Sequence, residues 1–233
     1  RAAPRPPETG APDRVAERRG GAPVRIAVAR DAALHFYYQE NLDLLACKGA
    51  QIAPFSVLDD DRLPGGAHGL YLGGGFPELF AEKIAANATM LDAIRVFAAA
   101  GGPIYAECGG LMILCDALVD LEGRRHAMAG LVPATSVMRR DQLSLGYVEV
   151  EALRDTMLAR AGDRYRAQTF HHSVLEDARF APALKLYHGG KTTLDGCAEG
   201  NLLASYVHAH FAAQPALAER FVERCRDTMK TTH

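Results

Sequence analysis

The sequence predicts an α/β fold in which a mostly parallel central sheet is flanked by helices. Two observations carry this. From Val24 onward, short apolar runs of strand length alternate with amphipathic stretches, the pattern of repeated βαβ units. At 233 residues and 48% hydrophobic content, the chain also has the size and the apolar material for one sizeable α/β core.

The elements follow in order. Strands are predicted at 24–30, 51–55, 69–72, 103–106, 147–151 and 202–207, where the apolar runs fall. Helices are predicted at about 36–47, 78–86, 89–100, 109–118 and 215–229, where Leu, Ile, Phe and Ala recur at helical spacing. Between 124 and 190 the signal is mixed and reads as a β-rich insertion. Residues 1–23 are rich in Pro, Gly, Arg and Ala with almost no large apolar side chains, which predicts a flexible linker instead of packed core. A linker at the start of a chain that lacks an initiator Met implies a preceding domain, leaving 24–233 as the folded unit.

A formal charge of -2 supplies no basic field to collect nucleic acid or anionic lipid. No apolar run approaches the length of a membrane span, and no signal-peptide pattern opens the chain. Five cysteines without CxxC spacing, in a chain too large to need staples, read as thiols of a cytoplasmic protein. Small molecules or another protein domain are the expected partners.

The richest segment is PIYAECGGLMIL, 103–114, a buried strand running through Ala106-Glu107-Cys108-Gly109-Gly110 into an apolar helix. Strand, sharp turn and helix make a nucleophile elbow, which needs small residues two positions either side of the strained central residue. Ala106 and Gly110 provide them. Cys108 then falls at a helix N-terminus, where free amides and the dipole favour thiolate, and the Gly109 amide is placed for a developing oxyanion. The competing reading is a packed core cysteine, which is how Cys115 on the same helix is read.

A catalytic thiol needs a base, usually a histidine distant in sequence. NLLASYVHAHF, 201–211, ends an apolar strand in His208-Ala209-His210, and open α/β sheets gather their sites at strand C-termini. His208 and His210 would share one face if the strand persisted that far. His171 and His172 form a second pair. The four together raise a metal site, against which no Asp or Glu stands at a ligand offset; pocket lining or hydrogen-bonded packing suits His171 and His172 better. Gly73-Gly74-Gly75, after the strand GLYL, allows close backbone approach to a ligand and could complete an oxyanion hole. Neither GxGxxG nor GxxxxGK[ST] occurs, so the loop does not read as a nucleotide site; a plain strand-to-helix turn is the alternative.

Taken together, GLYLGGGFPELF, PIYAECGGLMIL, LSLGYVEVEAL, FHHS and NLLASYVHAHF, in that order and spacing, resemble the C-terminal glutaminase domain of cobyrinic acid or hydrogenobyrinic acid a,c-diamide synthases. IAVARDAALHFYYQENLDLL is similar to the opening strand and helix of that domain, so the resemblance covers about 24–225. It implies a flavodoxin-like, glutamine-amidotransferase-like fold. By position it implies Cys108 as nucleophile and His208 as the residue that raises its nucleophilicity. Gly73, Gly74, Gly75 and Gly109 would form the oxyanion hole, and Tyr147 and His171 would lie at substrate-binding positions. The substrate implied is glutamine, and the ammonia would pass to an N-terminal synthetase domain that uses ATP and Mg²⁺ on a corrinoid; no cofactor or metal is implied for the glutaminase domain itself. An idle docking domain or another γ-glutamyl cysteine hydrolase would carry the same scaffold. Two stretches of the sequence depart from the family. Where broader Cys-His-Glu amidotransferases carry Glu two residues after the histidine, this chain has His210, leaving a dyad, and Ala167-Gln168-Thr169 replaces the Gly-His-Glu typical of relatives.

Overall fold

A computed structural model describes residues 23–231. The predicted linker therefore lies, but for its last residue, outside the described residues. The first half contains β1 (Val24–Ala29), β2 (Leu34–Phe36), α1 (Gln39–Cys47), β3 (Ala50–Phe55), β4 (Gly69–Leu72), β5 (Gly74–Gly75), α2 (Ala81–Ala86), α3 (Ala88–Ala99), β6 (Ile104–Glu107) and α4 (Gly109–Leu114). There follow β7 (Cys115–Val119), β8 (Arg125–Ala127), β9 (Val132–Met138), β10 (Ser144–Ala152), β11 (Arg164–His171), β12 (Ser173–Glu176), β13 (Leu184–His188), β14 (Lys191–Asp195) and β15 (Cys197–Glu199). The chain closes with β16 (Leu202–Ser205), β17 (Val207–Ala209) and α5 (Ala216–Thr231).

The central sheet runs in the order β15-β16-β6-β4-β1-β3, parallel throughout except for the edge strand β15. Strand alternation sorts its side chains into two cores. Ala27, Leu70, Leu72, Ile104, Ala106 and Ala204 face one side, against Ile84 of α2, Ile94 of α3 and the apolar face of α4. Ile26, Val28, Tyr71, Tyr105 and Leu203 face the other, against Leu45 of α1 and Phe221 of α5. Burial on both faces is why these strands read as uninterrupted apolar runs.

The β-rich region forms two further sheets, β14-β13-β10-β11-β17 and β12-β9-β7-β8, and it is longer than the sequence suggested. It begins at Cys115, where α4 stops. The helix predicted over 109–118 ends at Leu114 because residues 115–119 are drawn into strand pairing with Val132–Met138, a long-range gain that outweighs local helical spacing. The helix predicted from 36 likewise starts at Gln39, since Leu34 and Phe36 pair with Gly75 and Gly74 instead.

Three neighbouring strands, β4, β6 and β16, all point their C-terminal ends at one place. There the turn after β6 lies directly on the turn after β4: the Gly110 amide donates to the Gly73 carbonyl at 2.9 Å, and a Cβ built on Gly110 would sit 2.3 Å from the Leu72 carbonyl oxygen. Backbone cannot yield as a side-chain tip can. Gly110→Ala is expected to destabilise the protein by about 1–3 kcal/mol, the cost of overpacking, seen as a lower thermal midpoint. An unchanged midpoint would mean that this approach is looser than described.

Candidate active site

Cys108 occupies the turn between β6 and α4 with φ 46° and ψ -102°, one of two non-glycine residues with positive φ among those described. Such geometry costs of order 1–3 kcal/mol and persists only where the surroundings impose it. Here they do. The Cys108 amide donates to the Ser205 carbonyl at 2.8 Å, and its carbonyl accepts from the Met112 amide at 3.1 Å. Cys108 is 6% exposed, and its sulfur lies 3.5 Å from the Phe170 carbonyl, to which the thiol donates.

Burial pushes the Cys108 thiol up to about 12, opposed by the hydrogen bond from the Gly109 amide and reinforced by the charges of Glu78, Glu107 and Asp195. The sequence expectation that the helix terminus favours thiolate is thus corrected. The helix is only six residues long, and loss of solvent outweighs its end effect.

His208 is 2% exposed. The sequence placed it at the tip of a central-sheet strand, but that strand stops at Ser205. The Tyr206 amide turns to donate to Asp195 Oδ2 at 3.0 Å, and β17 crosses to the five-stranded sheet, pairing His208 with Gln168. The ring is held edge-on to Phe36 at 4.9 Å between centroids, and any Cβ at Gly74 would come within 2.5 Å of its Cε1. Burial first, and His171 second, press its pKa down to about 4, so the imidazole is neutral at physiological pH. Its Nδ1 has no hydrogen-bond partner and stands 3.9 Å from Glu107 Oε2.

Cys108 and His208 line one cavity of about 130 Å³, with Phe36, Gly75, Glu78 and His171 among the other walls. His171 stacks on Tyr206 at 3.9 Å and is fixed by Nδ1 against the Ser173 carbonyl at 2.8 Å. The glycine loop is less uniform than the sequence implied. The Gly73 amide is consumed by the Tyr37 hydroxyl at 2.8 Å, Gly74 pairs with Phe36 and Gly75 with Leu34, and of the three Gly75 reaches the cavity wall. A Cβ on Gly109 would lie 3.0 Å from the Gly75 nitrogen, so those two residues adjoin.

One expected residue, Tyr147, falls elsewhere. Tyr147 is 84% exposed and, with His210, lines an open groove of about 670 Å³ next door, which meets the cavity at Gln168. His210 packs against Tyr38 at 4.8 Å and lines this groove, not the cavity wall that holds His208. Among the described residues no three His, Cys, Asp or Glu side chains cluster so as to hold a metal ion. Sequence reasoning passed over Glu107, although a lone acid in an otherwise apolar strand next to the elbow was a visible signal. It is 1% exposed, and burial lifts its pKa to about 7.

This fold is that of the glutamine amidotransferases. The solved structure of PurLQS from Thermotoga maritima superposes with a TM-score of 0.59 at 17% identity, over 91% of this chain and 100% of that one, a likeness of fold. A family model, the CobB/CobQ-like glutamine amidotransferase domain, matches residues 25–216, and the chain belongs to that family. Cobyrinate a,c-diamide synthase of Syntrophotalea carbinolica is 42% identical over 212 residues, covering 88% of this chain and 46% of the relative. Its counterpart in Gloeobacter violaceus is 45% identical over 203 residues, covering 87% and 44%. The chain therefore spans less than half the length of these relatives. No helix among the described residues is long and apolar enough to cross a membrane.

The strain at Cys108 can be measured. Removing the side chain while keeping the backbone demand, as in Cys108→Ala, leaves the strain; Cys108→Gly releases it. The Gly variant is expected to be the more stable by about 1–3 kcal/mol, reversing the usual order of Ala over Gly. A higher melting point for the Ala variant would contradict the strained turn.

Proposed function

We propose that this chain hydrolyses glutamine through a thioester on Cys108, with His208 as general base. The observation that carries the reading is the meeting of a strained, solvent-poor thiol and a neutral imidazole in one small cavity within an amidotransferase domain. Both groups rest uncharged, so proton transfer accompanies attack instead of preceding it. The thiol proton passes to His208 as sulfur bonds to the side-chain amide carbon. The carbonyl electron pair moves onto oxygen, beside the adjoining Gly75 and Gly109, whose amides suit a developing oxyanion. As the tetrahedral intermediate collapses, the C–N bond breaks and nitrogen takes the proton from His208, leaving as ammonia. Water then gives its proton to His208, attacks the thioester and releases glutamate, and the thiol is restored. Glu78, the acidic side chain on the cavity wall, suits the substrate's α-ammonium.

The likeness to cobyrinate a,c-diamide synthases extends the proposal. The ammonia would serve an ATP- and Mg²⁺-dependent synthetase domain that amidates the a and c carboxylates of cobyrinate or hydrogenobyrinate. The chain's coverage of less than half of those relatives supports a division of labour between two domains.

The test is incubation with a glutamine-mimicking diazo-ketone followed by mass spectrometry. Cys108 is expected to be alkylated ahead of the other four thiols. Cys108→Ser should abolish ammonia release from glutamine, and His208→Asn should be far more damaging than His210→Asn, whose side chain faces the neighbouring groove. Equal loss from the two histidine changes, or near wild-type turnover by Cys108→Ser, would overturn the assignment.

A further inference from the structure

Glu107 is a carboxylate sealed inside the protein beside the proposed dyad, and no step above uses it. Oε2 accepts from the Tyr71 hydroxyl at 2.9 Å; Oε1 accepts from the Tyr105 hydroxyl and from the Ala209 amide at 3.1 Å. Ala209 follows His208, so this carboxylate fixes the short strand that bears the imidazole. Oε2, with a single hydrogen-bond donor, faces His208 Nδ1 across 3.9 Å, and that nitrogen is otherwise unsatisfied and buried. An unpaired buried N–H is costly, and an acceptor held by three donors costs little further reorganisation.

We propose that Glu107 is the positioning residue for His208, filling from the elbow's own strand the place that His210 does not fill two residues after the histidine. The inference rests on the reading of Cys108 and His208 as the reacting pair. The carboxylate selects the tautomer with hydrogen on Nδ1, leaving Nε2 to take the thiol proton. As the imidazole becomes imidazolium, Nδ1–H closes on Oε2, which balances the new charge. The other titratable groups around Glu107 are the Tyr37, Tyr38, Tyr71, Tyr105 and Tyr165 phenols, all shifted upward by burial and hence neutral, together with Cys108; His171 lines the same cavity as His208.

The experiment measures the rate at which the diazo-ketone labels Cys108 between pH 5 and pH 9, with the saturation constant resolved from the maximal rate. In the wild type the maximal rate should rise with pH through an inflection near 7, as Glu107 ionises. Glu107→Gln keeps the shape and loses the charge; it should cut the maximal rate about 10- to 100-fold, leave the saturation constant within about twofold and erase the inflection. Glu107→Asp retains the charge and should keep an inflection even with partial activity, which serves if the Gln variant does not fold. A Gln variant, folded by circular dichroism, that labels at the wild-type rate with the wild-type pH profile overturns the inference, as does loss of rate with the inflection intact. Failure of wild-type Cys108 to label at all would instead sink the nucleophile reading.

Discussion

The close backbone contact between residues 108–110 and the loop after β4 is the constraint on which the site depends. Gly110 rests against the Leu72 carbonyl with no room for a methyl group, and Gly109 lies beside the Gly75 nitrogen. Because the turn is pressed against that loop and tied to Ser205 on its other flank, the chain at Cys108 has no relaxed alternative. The positive φ follows from packing on both sides. A parallel sheet makes this possible, since three adjacent strands end together and each delivers one wall.

Burial does opposite things to the two central groups and leaves both neutral. It raises the thiol and lowers the imidazole, so a thiolate–imidazolium pair is not the resting state. Glu107 fits the same logic, for a carboxylate poised near neutrality can favour the charged imidazole only while it is itself ionised.

Much of the fold was legible because the central strands are buried on both faces and read as clean apolar runs: residues 24–29, 69–72, 104–107 and 202–205 fall within a residue or two of expectation. Cys108 was legible for a related reason, since a strained turn demands small residues at 106 and 110. What escaped was set by contacts distant in sequence. Residues 115–119 have helical spacing yet pair with β9, and the kink at Tyr206 depends on Asp195, which no local pattern reveals. That kink carries His208 onto the five-stranded sheet. The same crossing brings Nδ1 to Glu107, a pairing of residues 101 positions apart that spacing alone could not announce.

The chain belongs to a CobB/CobQ-like amidotransferase family, and the proposed chemistry places glutamine in the cavity lined by Cys108 and His208. The most direct measurement is a crystal structure of the protein after reaction with the glutamine-mimicking diazo-ketone. It should show the adduct bonded to Cys108 Sγ, its carbonyl oxygen within hydrogen-bond distance of the Gly75 and Gly109 amides, and the His208 ring unmoved beside it. An adduct on a different thiol, or one whose oxygen turns away from both amides, would contradict the account.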